Sequence, residues 1–122
     1  MNNLFLWIPV LLGPILPGAK PVGLNPQKIR GFLNKHCIAC HGPEKQKGKL
    51  RLNELSLELS NDSIAAHWQD ILDNLNAGDM PPEEEPQPGK AELTGFLAEL
   101  TGKLRNARRQ LSDQGRFCSD DS

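Results

Sequence analysis

The chain has 122 residues, of which 38% are hydrophobic and only 5% aromatic, and its net charge is −1. This length is enough for one domain and too short for two well-formed cores. The near-neutral balance gives no reason to expect a nucleic-acid partner. The charges are nevertheless uneven, since basic residues dominate from residue 28 to residue 51 and acidic residues dominate from residue 53 to residue 99.

The N-terminal segment is almost entirely apolar. Residues 4–16 read LFLWIPVLLGPIL, and the small residues Gly18 and Ala19 follow. Because this run is short and contains two prolines, it predicts a cleaved signal peptide over residues 1–19 rather than a membrane span. It lacks a basic start and a clear cleavage site, so an uncleaved hydrophobic anchor or an apolar tail of the domain stays open. Membrane contact is expected only through this segment, and the mature protein is expected to be exported, periplasmic or in the cell envelope.

The first predicted helix begins at Asn25-Pro26, which is typical of an N-cap followed by proline at the first helical position. Ile29, Phe32 and Leu33 then fall on one face of this helix, which predicts a core contact with another helix.

The sequence Cys37-Ile38-Ala39-Cys40-His41 follows directly and has the C-x-x-C-H pattern of c-type haem attachment. Two thiols at this spacing can each form a thioether to a haem vinyl group, and the histidine is then held beneath the iron. The motif therefore predicts one haem c per chain, with Cys37 and Cys40 as attachment points and His41 as an iron ligand. Covalent attachment of haem outside the bacterial cytoplasm agrees with export. The basic residues around the motif also offer a docking face for an acidic redox partner.

The segment from residue 44 to residue 59 has no helical period and predicts an irregular loop that packs leucines under the haem. Arg51 can reach a haem propionate from there, although a plain surface arginine is the commoner outcome.

A second helix is predicted from Asn61 or Asp62 to about Asn76, and Gly78 ends it. Trp68 lies on its apolar stripe and is predicted to be a core residue, with an indole N–H contact to a propionate as the alternative.

The next stretch supplies a second axial ligand for the iron. Met80 offers a thioether sulfur, and Pro81 and Pro82 stiffen the backbone that presents it. Residues 81–88 are predicted to form an exposed loop. A last helix is predicted over residues 89–109, and the polar residues 110–122 are predicted to be a disordered tail, which leaves residues 20–109 as the domain. The apolar positions of the last helix are expected to meet those of the first; they are Leu93, Phe96, Leu97, Leu100 and Leu104.

Three alternatives stay open beside an electron carrier. A zinc-binding C-x-x-C module needs two spaced ligand pairs, and this chain has one. A thiol-disulfide oxidoreductase normally places C-x-x-C at the start of a helix after a strand, and no strand pattern precedes Cys37. A haem-based peroxidase or sensor domain of a larger assembly requires an open iron site, which a methionine ligand would close. The prediction is therefore an electron carrier and not an enzyme.

The order of helix, C-x-x-C-H, loop, helix, M-P-P and final helix resembles class I cytochrome c. The chain further resembles the haem-binding domain of the planctomycete cytochrome C family. The residues that carry this resemblance are Phe32-Leu33, the motif at 37–41, the run KGKLRL at 47–52, Trp68 and residues 78–82. The resemblance covers roughly residues 26–104. It implies a small all-α fold of three main helices around one covalent haem, with His41 as the proximal and Met80 as the distal ligand.

Overall fold

The computed structural model describes Pro9, Gly13 and residues 20–119, with side chains through residue 115. It contains three α-helices, α1 (Pro26–His36), α2 (Asp62–Ala77) and α3 (Lys90–Ser119), and two short 3₁₀ turns at Lys47–Lys49 and Leu52–Glu54. Residues 20–119 contain no β-strand, only isolated bridges that join Gly23 to Glu58 and His41 to Gln46. The predicted all-α class is confirmed. Apart from Pro9 and Gly13, the residues of the signal-peptide prediction lie outside this description.

Helix α1 begins where the sequence predicts. The side-chain oxygen of Asn25 accepts a hydrogen bond of 3.1 Å from the backbone N–H of Lys28, and Pro26 occupies the first helical position. This cap satisfies one of the N–H groups that the first helical turn leaves without a partner.

Helix α2 also has the predicted ends. Asn61 caps it by accepting from the backbone N–H of Ile64 at 3.0 Å. Gly78 ends it in the left-handed conformation, with φ of 77°, which a residue with a side chain adopts at a cost. The chain therefore turns sharply just before Met80.

Helix α3 differs from its prediction. It continues to Ser119, so the predicted disordered tail from residue 110 is wrong for residues 110–119. Leu111 is half-buried and packs against the core, which extends the buried stripe of Leu100, Leu104 and Ala107 by one more turn. This additional apolar contact explains why the helix does not end at Arg109.

The core lies where the three helices meet. Helix α3 packs against both α1 and α2, and the ring of Phe32 stacks on that of Phe96 with centroids 4.0 Å apart. The expected pairing of the first and last helices is thus present. Buried apolar side chains from all three helices and from the loops complete the core: Leu24, Ile29, Leu33, Leu52, Leu59, Ala65, Trp68, Leu72, Leu75, Leu100 and Leu104.

The irregular segment between α1 and α2 is held in place by Arg30. Its guanidinium donates to the backbone carbonyls of Leu52, Asn53 and Leu55, at 3.3, 3.4 and 3.1 Å. The planar fork of an arginine can serve several acceptors at once. Arg30 therefore fixes a loop that has no regular structure of its own against α1.

Within the described residues, no helix is both long enough and apolar enough to cross a membrane.

Candidate functional site

A cavity of about 260 Å³ lies between the end of α1 and the segment that follows α2. Cys37, Cys40 and His41 line one of its walls, and Leu75 and Met80 belong to the other. A smaller cavity of about 110 Å³ shares Cys37, His41, Leu75 and Met80 and adds Leu50 and Leu52. The fold therefore brings the four predicted haem residues to one place, with leucines beside them.

The two cysteines are placed by the end of α1. The helix stops at His36, and the chain then turns so that the N–H groups of Cys40 and His41 both donate to the carbonyl of Cys37, at 3.2 and 2.9 Å. This turn keeps both thiols and the imidazole on the cavity side. Cys37 and Cys40 are half-buried free thiols.

Burial raises the pKa of the Cys37 thiol to about 11, and the neighbouring Cys40 adds to the effect. Cys37 is therefore a protonated thiol at neutral pH. Thiol-disulfide exchange relies on a thiolate whose pKa is lowered, so this environment disfavours the oxidoreductase alternative.

The imidazole of His41 is oriented by the backbone. Its Nδ1 lies 2.9 Å from the carbonyl oxygen of Lys47. Since a carbonyl only accepts, Nδ1 is the donor in this contact, and in the neutral imidazole this places the lone pair on Nε2. A hydrogen bond of this kind commonly fixes metal-ligating histidines. No sequence pattern predicts this hydrogen bond, because the acceptor is a main-chain atom.

Met80 is held in a loop that a single side chain organises. Its own side chain is 41% exposed. The Nε2 group of Gln87 donates to the carbonyls of Pro81, Pro82 and Glu85, at 3.1, 2.9 and 3.1 Å. Gln87 was not among the predicted site residues; its only sequence signal is an amide within a proline-rich loop.

Arg51 and Trp68 lie elsewhere. Arg51 donates to the side chain of Asn53 at 3.2 Å and pairs with Glu54 at 3.2 Å, and it lines neither cavity. Its contact with a propionate stays a prediction.

Trp68 is fully buried, and its indole N–H donates to the carbonyl of Ser56 at 2.8 Å. This corrects the alternative of a propionate contact, because the donor already has an acceptor inside the core. Trp68 therefore joins α2 to the irregular segment.

A polar cluster joins α1 to α3 at the edge of the larger cavity. Nε2 of His36 lies 3.1 Å from one carboxylate oxygen of Glu92, and Nζ of Lys35 lies 3.3 Å from the other. Desolvation raises the pKa of Glu92, but the hydrogen bonds from His36 and Lys35 outweigh it and leave the pKa below its usual value. Glu92 therefore stays ionised as the acceptor of both groups.

Residues 37–84 match the family model described as Planctomycete cytochrome C. The chain is similar to that family over this segment. The match covers less than half of the chain, yet it begins at Cys37 and extends beyond Met80, so it contains all four predicted haem residues. The resemblance predicted from the sequence is confirmed over residues 37–84, which are similar to a c-type cytochrome domain. No curated protein and no solved structure matches the chain.

The donor set fits a haem c. Two thiols are available for thioether bonds, an imidazole has Nε2 free, and a thioether sulfur lines the same leucine-containing cavity. Across the described residues, no group of three or more His, Cys, Asp or Glu side chains is placed to hold a metal ion, as a zinc site would need.

Proposed function

We propose that this chain is an electron carrier with one haem c attached through Cys37 and Cys40 and ligated by His41 and Met80. The observation that carries the proposal is that both thiols, the imidazole and the thioether line one cavity. The family match over the same residues supports it. When bound, the haem supplies one-electron chemistry at its iron.

The protein's own residues favour transfer over catalysis. An iron ligated by both His41 and Met80 has no open site for peroxide or a small gas. A methionine ligand also raises the reduction potential relative to stronger donors. Attachment at two cysteines and a hydrogen-bonded His41 would hold the haem on one wall of the cavity, so these residues would need little rearrangement when the oxidation state changes.

The proposal extends to the cellular setting and to the partner. Export of the chain follows from the apolar N-terminal segment and from the site of covalent haem attachment in bacteria. The redox partner docks near Lys45, Lys47 and Lys49, which are exposed beside His41, and it carries acidic groups at that contact.

The test is expression with a periplasmic maturation system, followed by a haem stain on a denaturing gel. We expect a stained band, because covalent haem survives denaturation, and an absorption spectrum with the weak far-red band of iron–methionine ligation. A colourless but folded protein would overturn the haem assignment.

Met80→Ala tests the second ligand. We expect the haem to stay attached and added carbon monoxide or cyanide to bind at least tenfold more tightly than to the unchanged protein. Asp79→Ala is the matched control, since Asp79 is exposed and adjacent, and it should keep the far-red band. If the unchanged protein binds these ligands as readily as Met80→Ala does, methionine ligation is wrong and the sensor or peroxidase alternative replaces it.

A further inference from the structure

The two walls of the larger cavity adjoin loops of opposite charge. The basic loop, residues 45–49, carries the exposed Lys45, Lys47 and Lys49 next to His41. The acidic loop, residues 83–85, consists of three exposed glutamates that follow Met80, and Glu85 itself lines the cavity. Basic residues therefore lie next to the histidine wall of the cavity, and acidic residues lie next to its methionine wall.

Both loops are anchored to the site. In the basic loop, the N–H of Lys47 donates to the carbonyl of Cys40 at 2.9 Å, and its carbonyl accepts from His41. In the acidic loop, the N–H of Glu85 donates to the carbonyl of Pro82 at 2.9 Å, and its carbonyl accepts from Gln87. The charges are thus presented at fixed places beside the haem residues rather than on long unstructured segments.

The charged groups of both loops are available for a contact with another molecule. Among the side chains that the structure describes, the ion pairs join Glu92 to Lys35 and His36, and Arg51 to Glu54. None of them uses a lysine of the basic loop or a glutamate of the acidic loop. Neither loop is neutralised by its own chain within residues 20–115.

A face with one positive and one negative side is complementary to itself. When two copies face each other about a two-fold axis, the positive side of each meets the negative side of the other, which gives an isologous contact. The net charge of −1 adds little general repulsion between copies.

We infer that two copies of this chain dock face to face, with each basic loop against the other copy's acidic loop, and exchange an electron across the contact. The inference rests on the proposed function. One copy loses an electron at its haem and the other gains it, so the pair is chemically unchanged apart from which copy is reduced. Because exposed ion pairs are weak, the contact is transient.

The ionic-strength dependence of this exchange tests the inference. Nuclear magnetic resonance of mixtures of the oxidised and reduced protein gives the self-exchange rate. Attraction between opposite charges predicts a fall of about tenfold as salt rises from about 10 mM, where the screening length is roughly 30 Å, to about 200 mM, where it is below roughly 8 Å. A rate that is constant or that rises with salt would show that the faces do not attract.

Charge reversals locate the contact. Two triple variants should each exchange electrons at least about tenfold more slowly at low salt. The basic-loop variant is Lys45→Glu/Lys47→Glu/Lys49→Glu, which keeps the main-chain carbonyl of residue 47, and the acidic-loop variant is Glu83→Lys/Glu84→Lys/Glu85→Lys. An equimolar mixture of the two variants should regain fast exchange between unlike copies. Glu58→Lys/Asp70→Lys/Asp73→Lys is the control: it reverses three exposed acids outside both loops and gives the same net charge as the acidic-loop variant, so it should exchange clearly faster than that variant at low salt.

A second measurement does not depend on electron transfer. In the oxidised protein, amide chemical shifts of residues 45–49 and 83–85 should change together with protein concentration at low salt and stop changing at high salt. A haem protein with intact methionine ligation whose shifts are independent of concentration would overturn this inference alone. Failure to attach haem would instead overturn the proposed function.

Discussion

A single side chain, Gln87, positions the methionine side of the candidate haem site. Its amide spans the loop after Met80 by donating to three carbonyls, of Pro81, Pro82 and Glu85. Prolines have no backbone N–H with which to stabilise such a loop. The position of the methionine sulfur therefore depends on a residue seven places further along the chain.

Gln87→Ala should weaken ligation by Met80 without removing the sulfur. If these hydrogen bonds together contribute about 1 kcal/mol to the bound position of Met80, imidazole added to the oxidised protein should displace methionine about fivefold more readily. Gln87→Glu, which keeps the length but loses the donor, should behave like the alanine variant. Gln27→Ala, at an exposed position of α1, is the control. An unchanged imidazole affinity in both Gln87 variants would show that the loop holds its shape without this side chain.

At the scale of the element, α3 is the helix whose length the sequence did not predict. Beyond Arg109 the sequence is polar except at Leu111, and one leucine is a weak periodic signal. In the structure Leu111 adjoins Leu59, a buried residue of the irregular segment more than fifty positions earlier. The last turns of α3 are therefore supported by a tertiary contact.

Leu111→Ala should lower the free energy of unfolding by about 1–2 kcal/mol, less than a fully buried leucine would, because the residue is half-buried. Urea denaturation of the haem-loaded protein measures the change. Ser112→Ala, at the exposed neighbouring position, should leave the midpoint almost unchanged. Equal urea midpoints for Leu111→Ala and the unchanged protein would mean that this part of α3 adds nothing to the stability of the fold. That result would agree with the predicted disordered tail.

The elements that were predictable are those fixed by local chemistry. The caps at Asn25 and Asn61 and the stop at Gly78 depend on side chains within a few residues of the helix ends, and the structure has all three. The C-x-x-C-H motif is likewise local. Hydrogen bonds to main-chain atoms were not predictable. His41 bonds to the carbonyl of Lys47 and Trp68 bonds to the carbonyl of Ser56, and no residue type in the sequence indicates either acceptor. These hydrogen bonds depend on how the irregular segment between α1 and α2 folds against the helices, and the spacing of apolar residues does not indicate that.

At the scale of the whole molecule, the haem site and the fold share their support. The wall of cysteines is the continuation of α1, the other wall follows α2, and His36 at the edge of the cavity is tied to α3 through Glu92. With only 5% aromatic residues, the chain has few large side chains of its own to fill its interior. The haem c proposed here would therefore add apolar contacts between the end of α1 and the segment that follows α2.

Removing one of the two predicted haem attachment residues tests whether haem attachment supports the stability of the fold. Cys40→Ala should lower the fraction of chains that stain for haem, and the haem-free fraction should lose at least about 3 kcal/mol of unfolding free energy, since the apolar contacts that the haem would make in the folded core are lost. Circular dichroism during urea denaturation, with haem absorbance followed in parallel, measures both effects. Cys118→Ala removes the third cysteine, outside the motif, and should keep full haem and an unchanged midpoint. A Cys40→Ala protein that is haem-free yet as helical and as resistant to urea as the unchanged protein would show that the polypeptide completes its core alone.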